Sequence, residues 1–142
     1  TPGTTFTAYI AGYDITSPFI GGYEAGLQMP PADIFVLDAT GPNTWTNFGS
    51  PTNHLVGFGT PVPAPGGFAV LCEMTWLLTA DAYTVYVELV AATPSSFNPP
   101  APGYADGTNP DLLVPCSSWV GRINDGCATE AHSLSAVKAL FE

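Results

Sequence analysis

The stretch FAVLCEMTWLLTADAYTVYVELVAAT, Phe68 to Thr93, is mostly apolar and contains no lysine or arginine. A membrane-spanning helix needs about 20 consecutive apolar residues, and here Glu73, Asp81 and Glu88 interrupt the run. The β-branched and aromatic side chains that fill the stretch favour strands over helices. The sequence therefore predicts two β-strands here, and not a membrane span or an α-helix.

The polar segment Thr79–Ala82 separates two apolar runs, and this pattern predicts a β-hairpin. Apolar side chains alternate along both arms and so define one core face. They are Phe68, Val70, Cys72, Met74, Trp76 and Leu78 in the first arm and Tyr83, Val85, Val87 and Leu89 in the second. Of two registers, we favour the one that sets Thr75 opposite Glu88, because the other sets Glu73 against Glu88.

The other face of this predicted hairpin is apolar as well, since it carries Leu71, Leu77, Tyr86 and Val90. A sheet that is apolar on both faces is usually covered on both. We therefore expect a second layer of the same chain, or a neighbouring subunit, against this face.

The chain is unusually poor in charge. It has 142 residues, a net charge of −10 and only two basic side chains, Arg122 and Lys138. Charged residues make up 10% of the sequence, against about 25% in ordinary globular proteins. Binding to nucleic acid or to an anionic membrane requires lysine and arginine, so the composition argues against both kinds of partner. A subunit whose surface is covered by neighbours needs less charge for solubility than a free monomer does.

The whole chain, residues 1–142, fits one domain of mostly β structure. Many short strands between Pro- and Gly-rich loops predict a β-sandwich or a small β-barrel. The predicted short strands are Thr4–Ile10, Asp33–Asp38, Trp45–Phe48, His54–Phe58, Asp111–Val114 and Ser118–Ile123. Residues 1–10 are expected to form an extended arm or an edge strand.

Three segments are predicted to be loops. Gly21-Gly22 and Met29-Pro30-Pro31 mark a loop-rich region, Thr60–Gly67 is a Pro-rich connector, and Thr93–Pro110 is a long surface loop. The C-terminal segment 128–141 is predicted to form one α-helix. Thr129 is its N-cap, and apolar residues recur at helical spacing: Ala131, Leu134, Val137 and Phe141.

No constellation of catalytic or metal-ligating residues stands out, so we expect neither an enzyme nor a cofactor or metal ion. The two histidines, His54 and His132, have no cysteine or carboxylate at ligand spacing. Asp33 and Asp38 flank a predicted strand, and Ser117 and Ser118 lack a nucleophile elbow. The three cysteines, Cys72, Cys116 and Cys127, are read either as buried free thiols or as one Cys116–Cys127 disulfide with one thiol left over.

Aromatic and proline residues are the expected contact residues, because such side chains are enriched in cores and subunit interfaces. The predicted interface residues are Phe6, Tyr9, Trp45, Phe48, Pro63, Pro65, Phe97 and Tyr104. A partly different set of aromatic side chains could stack on sugars, which leaves a carbohydrate-binding module as an alternative. They are Trp45, Trp119, Tyr9, Tyr13, Tyr23 and Tyr104.

The segment DIFVLDATGPNTWTNFGSPTNHLVGFG, residues 33–59, resembles the head decoration proteins of tailed bacteriophages of the lambda type. The shared pattern is an apolar strand ending in Leu37-Asp38, then Trp45, then the strand Val56-Gly57-Phe58. The chain departs from that family in its longer hairpin and its C-terminal helix. The resemblance implies a small β-rich protein that forms trimers on the outside of a capsid and clamps capsid subunits together, with no catalytic residues.

These observations predict a structural virion protein on the outer capsid surface, a decoration or cement subunit. The expected partners are other copies of the chain, with a trimer favoured, and the major capsid protein. One alternative is a protruding domain or minor coat subunit of another virus type, and another is a subunit of an extracellular filament or surface layer. A carbohydrate-binding module or small hydrolase is the alternative from a different class.

Overall fold

The computed structural model describes residues 3–30, 33–79 and 85–123, the last five as backbone only. These ranges contain ten β-strands and one short 3-10 turn, Pro65–Gly67. The strands are β1 (Thr4–Gly12), β2 (Phe19–Gln28), β3 (Ile34–Thr40), β4 (Trp45–Asn47), β5 (Asn53–Pro63), β6 (Ala69–Leu78), β7 (Val85–Val90), β8 (Gly103–Asp106), β9 (Leu113–Pro115) and β10 (Trp119–Ile123).

The strands form two sheets. The smaller sheet has the order β1-β6-β3, and every pair in it is antiparallel. The larger sheet has the order β10-β7-β2-β5-β4, and β8 joins it by pairing with β2 and with β9. Strand β2 is therefore the centre of the larger sheet, with β5 along one side and β7 and β8 along the other.

The core lies between the two sheets. The smaller sheet contributes Ile10, Ile34, Met74 and Trp76 among others, and the larger sheet contributes Tyr23, Val56, Phe58, Val85 and Val87. All of these belong to one cluster of buried side chains. The expectation of a mostly β chain folded as a β-sandwich is confirmed.

The predicted β-hairpin is wrong, although both of its arms are strands. β6 pairs with β1 and β3 in the smaller sheet, whereas β7 pairs with β2 and β10 in the larger one. Neither proposed register exists: Glu73 lies opposite Tyr9 and Thr40, and Glu88 lies opposite Gln28. The other sheet of the same chain covers the predicted core face. On the opposite face, where a second layer was expected, no described layer covers Tyr86, which is 51% exposed, and Leu77 and Val90 are half-buried.

The predicted core face of the first arm is correct only in its second half. Cys72, Met74, Trp76 and Leu78 are buried, whereas Phe68 and Val70 are exposed. A β-bulge causes the change, because Ile10 pairs with Cys72 while Ala11 pairs with Val70, and Leu71 is the extra residue. An extra residue inverts the alternation of side chains beyond it. In the second arm, Val85 and Val87 are buried as predicted.

All three predicted loops contain strands. The region around Gly21-Gly22 is the central strand β2, and the first half of the Pro-rich connector extends β5, where Val62 pairs with Ile20. The long loop Thr93–Pro110 likewise contains β8.

The segment at the N-terminus is an edge strand, β1, and not a free arm. The helix predicted for 128–141 lies outside the described residues.

Candidate functional site

A groove crosses the outer face of the larger sheet, where β5, β2 and β8 lie side by side. Its volume is about 320 Å³. Two rows of paired residues form the floor: Gly57, Gly22 and Ala105 in one row, and Leu55, Glu24 and Gly103 in the other. Few side-chain atoms rise above the backbone on this floor, because three of the six positions are glycines and one is alanine.

Steric contact explains two of these glycines. A Cβ atom at Gly22 would lie 2.4 Å from the carbonyl oxygen of Val56, and one at Gly103 would lie 2.3 Å from the ring of Phe97. Gly57 is different, because a Cβ atom there would meet only the Phe48 ring, at 3.7 Å. The floor at Gly57 is therefore open towards solvent and not filled by the protein itself.

Apolar side chains form the walls of the groove. Phe48 is 77% exposed and Leu113 is 42% exposed, although both are large apolar residues. Phe97 lies over Gly103 and closes one end. Exposed aromatic and aliphatic side chains around a concave floor are typical of a surface that binds a partner.

The loop that follows β7 is held against the sheet by two sets of hydrogen bonds. The buried carboxylate of Glu24 accepts one from the Ser95 hydroxyl, at 2.9 Å, and one from the Ser96 backbone N–H, at 2.8 Å. The Asn53 side chain donates to the Thr93 carbonyl and accepts from the Thr93 N–H, both at 2.8 Å. These bonds fix the loop that carries Phe97.

The chemistry of the groove suits an apolar ligand group. Among its lining residues only Glu24, Ser96, Tyr23 and Tyr104 have polar side chains. The first is already bonded to the loop, and the Tyr104 hydroxyl points to Thr16, with 3.1 Å between the two hydroxyl oxygens. A sugar needs several polar side chains to pair with its hydroxyl groups, because unpaired buried polar groups are costly. An aromatic or aliphatic side chain of another protein fits better.

A polar pair lies inside the core beneath the groove. His54 is fully buried, its Nδ1 is 2.7 Å from the Tyr23 hydroxyl, and its Nε2 is 2.9 Å from the Pro51 carbonyl oxygen. Since a carbonyl can only accept, Nε2 carries the proton and Nδ1 accepts from Tyr23. Burial lowers the pKa of His54 and raises that of Tyr23, so both groups remain neutral. This histidine is a structural residue.

Within the described ranges, the other residues considered for chemistry do not come together, and His132 lies outside those ranges. No cluster of three or more histidine, cysteine or carboxylate side chains in the described ranges could hold a metal ion. Asp38 accepts a hydrogen bond from the Ala39 N–H, at 2.9 Å, at the surface. Cys72 is a buried thiol whose pKa is raised to about 11, chiefly by burial.

The expectation that all three thiols are buried is wrong for Cys116, which is exposed. Its predicted disulfide partner, Cys127, lies outside the described residues.

Asp106 caps a turn of the chain after β8. It accepts hydrogen bonds from the Thr108 N–H and hydroxyl, both at 2.6 Å, and from the Asn109 N–H, at 2.9 Å. Hydrogen bonds from Ser17 and Thr108 hold the pKa of this carboxyl well below its usual range. The role of Asp106 is structural.

The predicted interface residues divide into three sets. Phe48, Phe97 and Tyr104 line the groove, the last through its backbone because its ring is buried. Tyr9, Pro63 and Pro65 are exposed elsewhere on the surface. Phe6 and Trp45 pack against the core, where Phe6 makes an edge contact with Trp76 at 5.7 Å between ring centroids.

Sequence reasoning missed the glycine floor, for which the only signal was glycine inside an apolar strand pattern.

Comparisons with known proteins add a likeness of fold. No protein-family model matches the chain, and no curated protein matches it. The structure is similar to a chain in the crystal structure of the complex of a CaDoc0917 variant with CaCohA2, a dockerin–cohesin complex. The sequences are 16% identical and the TM-score is 0.58, over 87% of this chain and 90% of that chain. No helix among the described residues is long and apolar enough to cross a membrane.

Proposed function

We propose that this chain is a structural subunit without catalytic activity, which binds another protein through the groove on its larger sheet. The observation that carries the proposal is the open glycine floor at Gly57 beside the highly exposed ring of Phe48. Exposed apolar area of this kind is stabilised when a partner covers it. The low charge content of the chain supports the same conclusion.

The setting that we propose is the outer surface of a virus particle, where the chain acts as a decoration or cement subunit. Support comes from the resemblance of residues 33–59 to phage head decoration proteins, since the two strands of that pattern lie within β3 and β5 and Trp45 lies between them. An acidic subunit also suits the outside of a capsid better than the inside, which faces packaged nucleic acid. The partner in this setting is the major capsid protein.

The test is co-sedimentation of the purified chain with capsids that lack their outer subunits. Gly57→Leu should abolish co-sedimentation, because it adds a large side chain to the groove floor at a position where a Cβ atom meets no backbone atom within 4 Å. Thr60→Leu adds the same side chain at an exposed position on the same strand, outside the groove, and should bind like the original chain. Equal binding by the original chain, Gly57→Leu and Thr60→Leu would show that the groove does not bind the capsid.

A second candidate is a subunit of an extracellular surface layer or filament. The observation that favours it is the likeness of fold to a chain from a complex of two proteins, a dockerin–cohesin complex. A subunit of this kind would bind a partner protein, or polymerise, in the absence of any capsid. Polymerisation of the purified chain alone, measured by sedimentation, would favour this setting over the virion.

A further inference from the structure

The smaller sheet has an edge that lacks the usual protection against pairing. Natural edge strands are commonly short, charged, bulged or interrupted by proline, because an open edge pairs readily with other strands. β1 is nine residues long, TTFTAYIAG, and contains no charged residue and no proline. Its extra-residue bulge lies on β6, at Leu71, and not on β1 itself.

The other described edges do carry such features. On β3 the bulge at Leu37 and the carboxylate of Asp38 interrupt the edge. β4 has only three residues, β9 has three residues and ends at Pro115, and the described part of β10 has five. β1 pairs with β6 on one side, and no described strand pairs with it on the other.

The inward side of β1 is also incompletely covered. Phe6 and Ala8 point towards the core and pack against it, yet both remain only partly buried. On the outward side Tyr9 is 58% exposed. Another strand placed beside β1 would cover the flanks of these side chains and satisfy the backbone groups along the edge.

We infer that β1 pairs antiparallel with β1 of a second copy, so that two smaller sheets join into one sheet of six strands. Charge decides which edge two copies can use, and the match of β1 with itself, described below, favours a second copy as the occupant. Two copies with a net charge of −10 each repel one another, and β1 is where they can approach without bringing carboxylates together. The first acidic residue along the chain is Asp14, beyond the end of β1. Contact through β3 would instead bring the edge that carries Asp38 in one copy close to the same edge of the other.

A two-fold axis at Thr7 gives the best match of side chains. It sets Thr7 against Thr7 of the second copy, Tyr9 against Thr5, and Phe6 against the small Ala8. In this register the outward-facing side chains of one copy lie beside outward-facing side chains of the other, as the alternation of a sheet requires. This inference goes beyond the proposed function, because it concerns the smaller sheet and not the groove.

Sedimentation equilibrium over micromolar to submillimolar concentrations tests the pairing directly. The original chain should form a dimer, and Thr7→Asp should raise its dissociation constant about fivefold or more, because two carboxylates would face each other. Thr46→Asp makes the same substitution at an exposed threonine on the edge strand β4 and should leave the dimer intact. Thermal melting checks that both variants remain folded.

A crosslink tests the register. With Cys116 and Cys127 replaced by serine, Thr7→Cys should form a disulfide-linked dimer on oxidation. Thr75→Cys, which faces outward on the middle strand β6, should not. A monomer throughout, a trimer, or equal loss of the dimer in Thr7→Asp and Thr46→Asp would each overturn the inference. Gly57→Leu should still dimerise. The proposal that the groove binds a partner and the inference that β1 forms a dimer can therefore fail separately.

Discussion

At the scale of single residues, glycine positions determine whether the larger sheet can form. Gly22 lies on the central strand β2, directly opposite Gly57 of β5. Its missing side chain lets the Val56 carbonyl approach, whereas Gly57 faces open space. Sequence reasoning took Gly21-Gly22 as a sign of a loop, because glycine is usually depleted in strands. Only the three-dimensional contact shows that the central strand needs glycine here.

Alanine substitutions should separate the two glycines. Gly22→Ala should destabilise the fold by about 3 kcal/mol, because the new Cβ atom would lie 2.4 Å from a backbone oxygen that cannot rotate away. Gly57→Ala should change the free energy of unfolding by less than about 1 kcal/mol. Urea denaturation measures both values, and similar losses in the two variants would contradict the steric explanation.

His54 should make the fold sensitive to mild acid. Its pKa in the folded state is lowered by burial, below the ordinary value of about 6.5. Above that value both folded and unfolded states are neutral at this position, so its full contribution to stability is present. As the pH falls below about 6.5, protons bind the unfolded state preferentially, and stability falls by up to about 1.4 kcal/mol per pH unit until the lower folded-state pKa is reached.

Urea denaturation between pH 7 and pH 5 measures this loss. His54→Gln can keep both hydrogen bonds but cannot titrate, so its stability should depend less on pH than that of the original chain. Identical pH dependence in the original chain and His54→Gln would show that the buried imidazole is not the cause.

At the scale of elements, alternation of apolar residues predicted strands correctly but not their partners. β6 and β7 were identified from the pattern between Phe68 and Val90, yet they lie in different sheets. Alternation reports which face of a strand is buried, and both arms face the same core from opposite sides. Such a pattern cannot distinguish a hairpin from a crossover between the two layers. The residues of the intervening segment carry no strong two-residue turn signal, which was the one available warning.

The loop after β7 should depend on Asn53, whose side chain bonds both backbone groups of Thr93. Asn53→Ala should speed amide exchange at Thr93 and cost about 1–2 kcal/mol, because two hydrogen bonds are lost. Asn109→Ala, in the exposed turn after β8, is the matched control and should leave the exchange unchanged. Hydrogen exchange measured by NMR or mass spectrometry gives the comparison, and equal rates in both variants would contradict this role of Asn53.

At the scale of the whole molecule, the low charge content was the most informative feature of the sequence. It led to an expectation of contact surfaces, and we propose two of them: the groove and the β1 edge. Three of the eight predicted interface residues line the groove, because aromatic residues mark both cores and interfaces. The glycines of the floor could not be assigned from sequence, since the strands that bring them together are far apart along the chain.

Salt should strengthen the pairing through β1. Two copies of a chain with a net charge of −10 repel each other, and ions screen that repulsion. The dissociation constant of the dimer should therefore fall as sodium chloride rises from about 20 mM to about 500 mM. Sedimentation equilibrium gives the constant at each salt concentration, and a dimer that weakens with salt would show that ionic contacts hold it together.

Photo-crosslinking from the groove tests the central claim most directly. A benzoylphenylalanine placed at Phe48, in cells that make this protein together with its natural neighbours, should link to one protein species. The adduct should disappear when Gly57→Leu is added, and the same group at Tyr13, an exposed aromatic position outside the groove, should not give it. A chain that forms no protein adduct from position 48, or the same adduct from both positions, would contradict a function based on this surface.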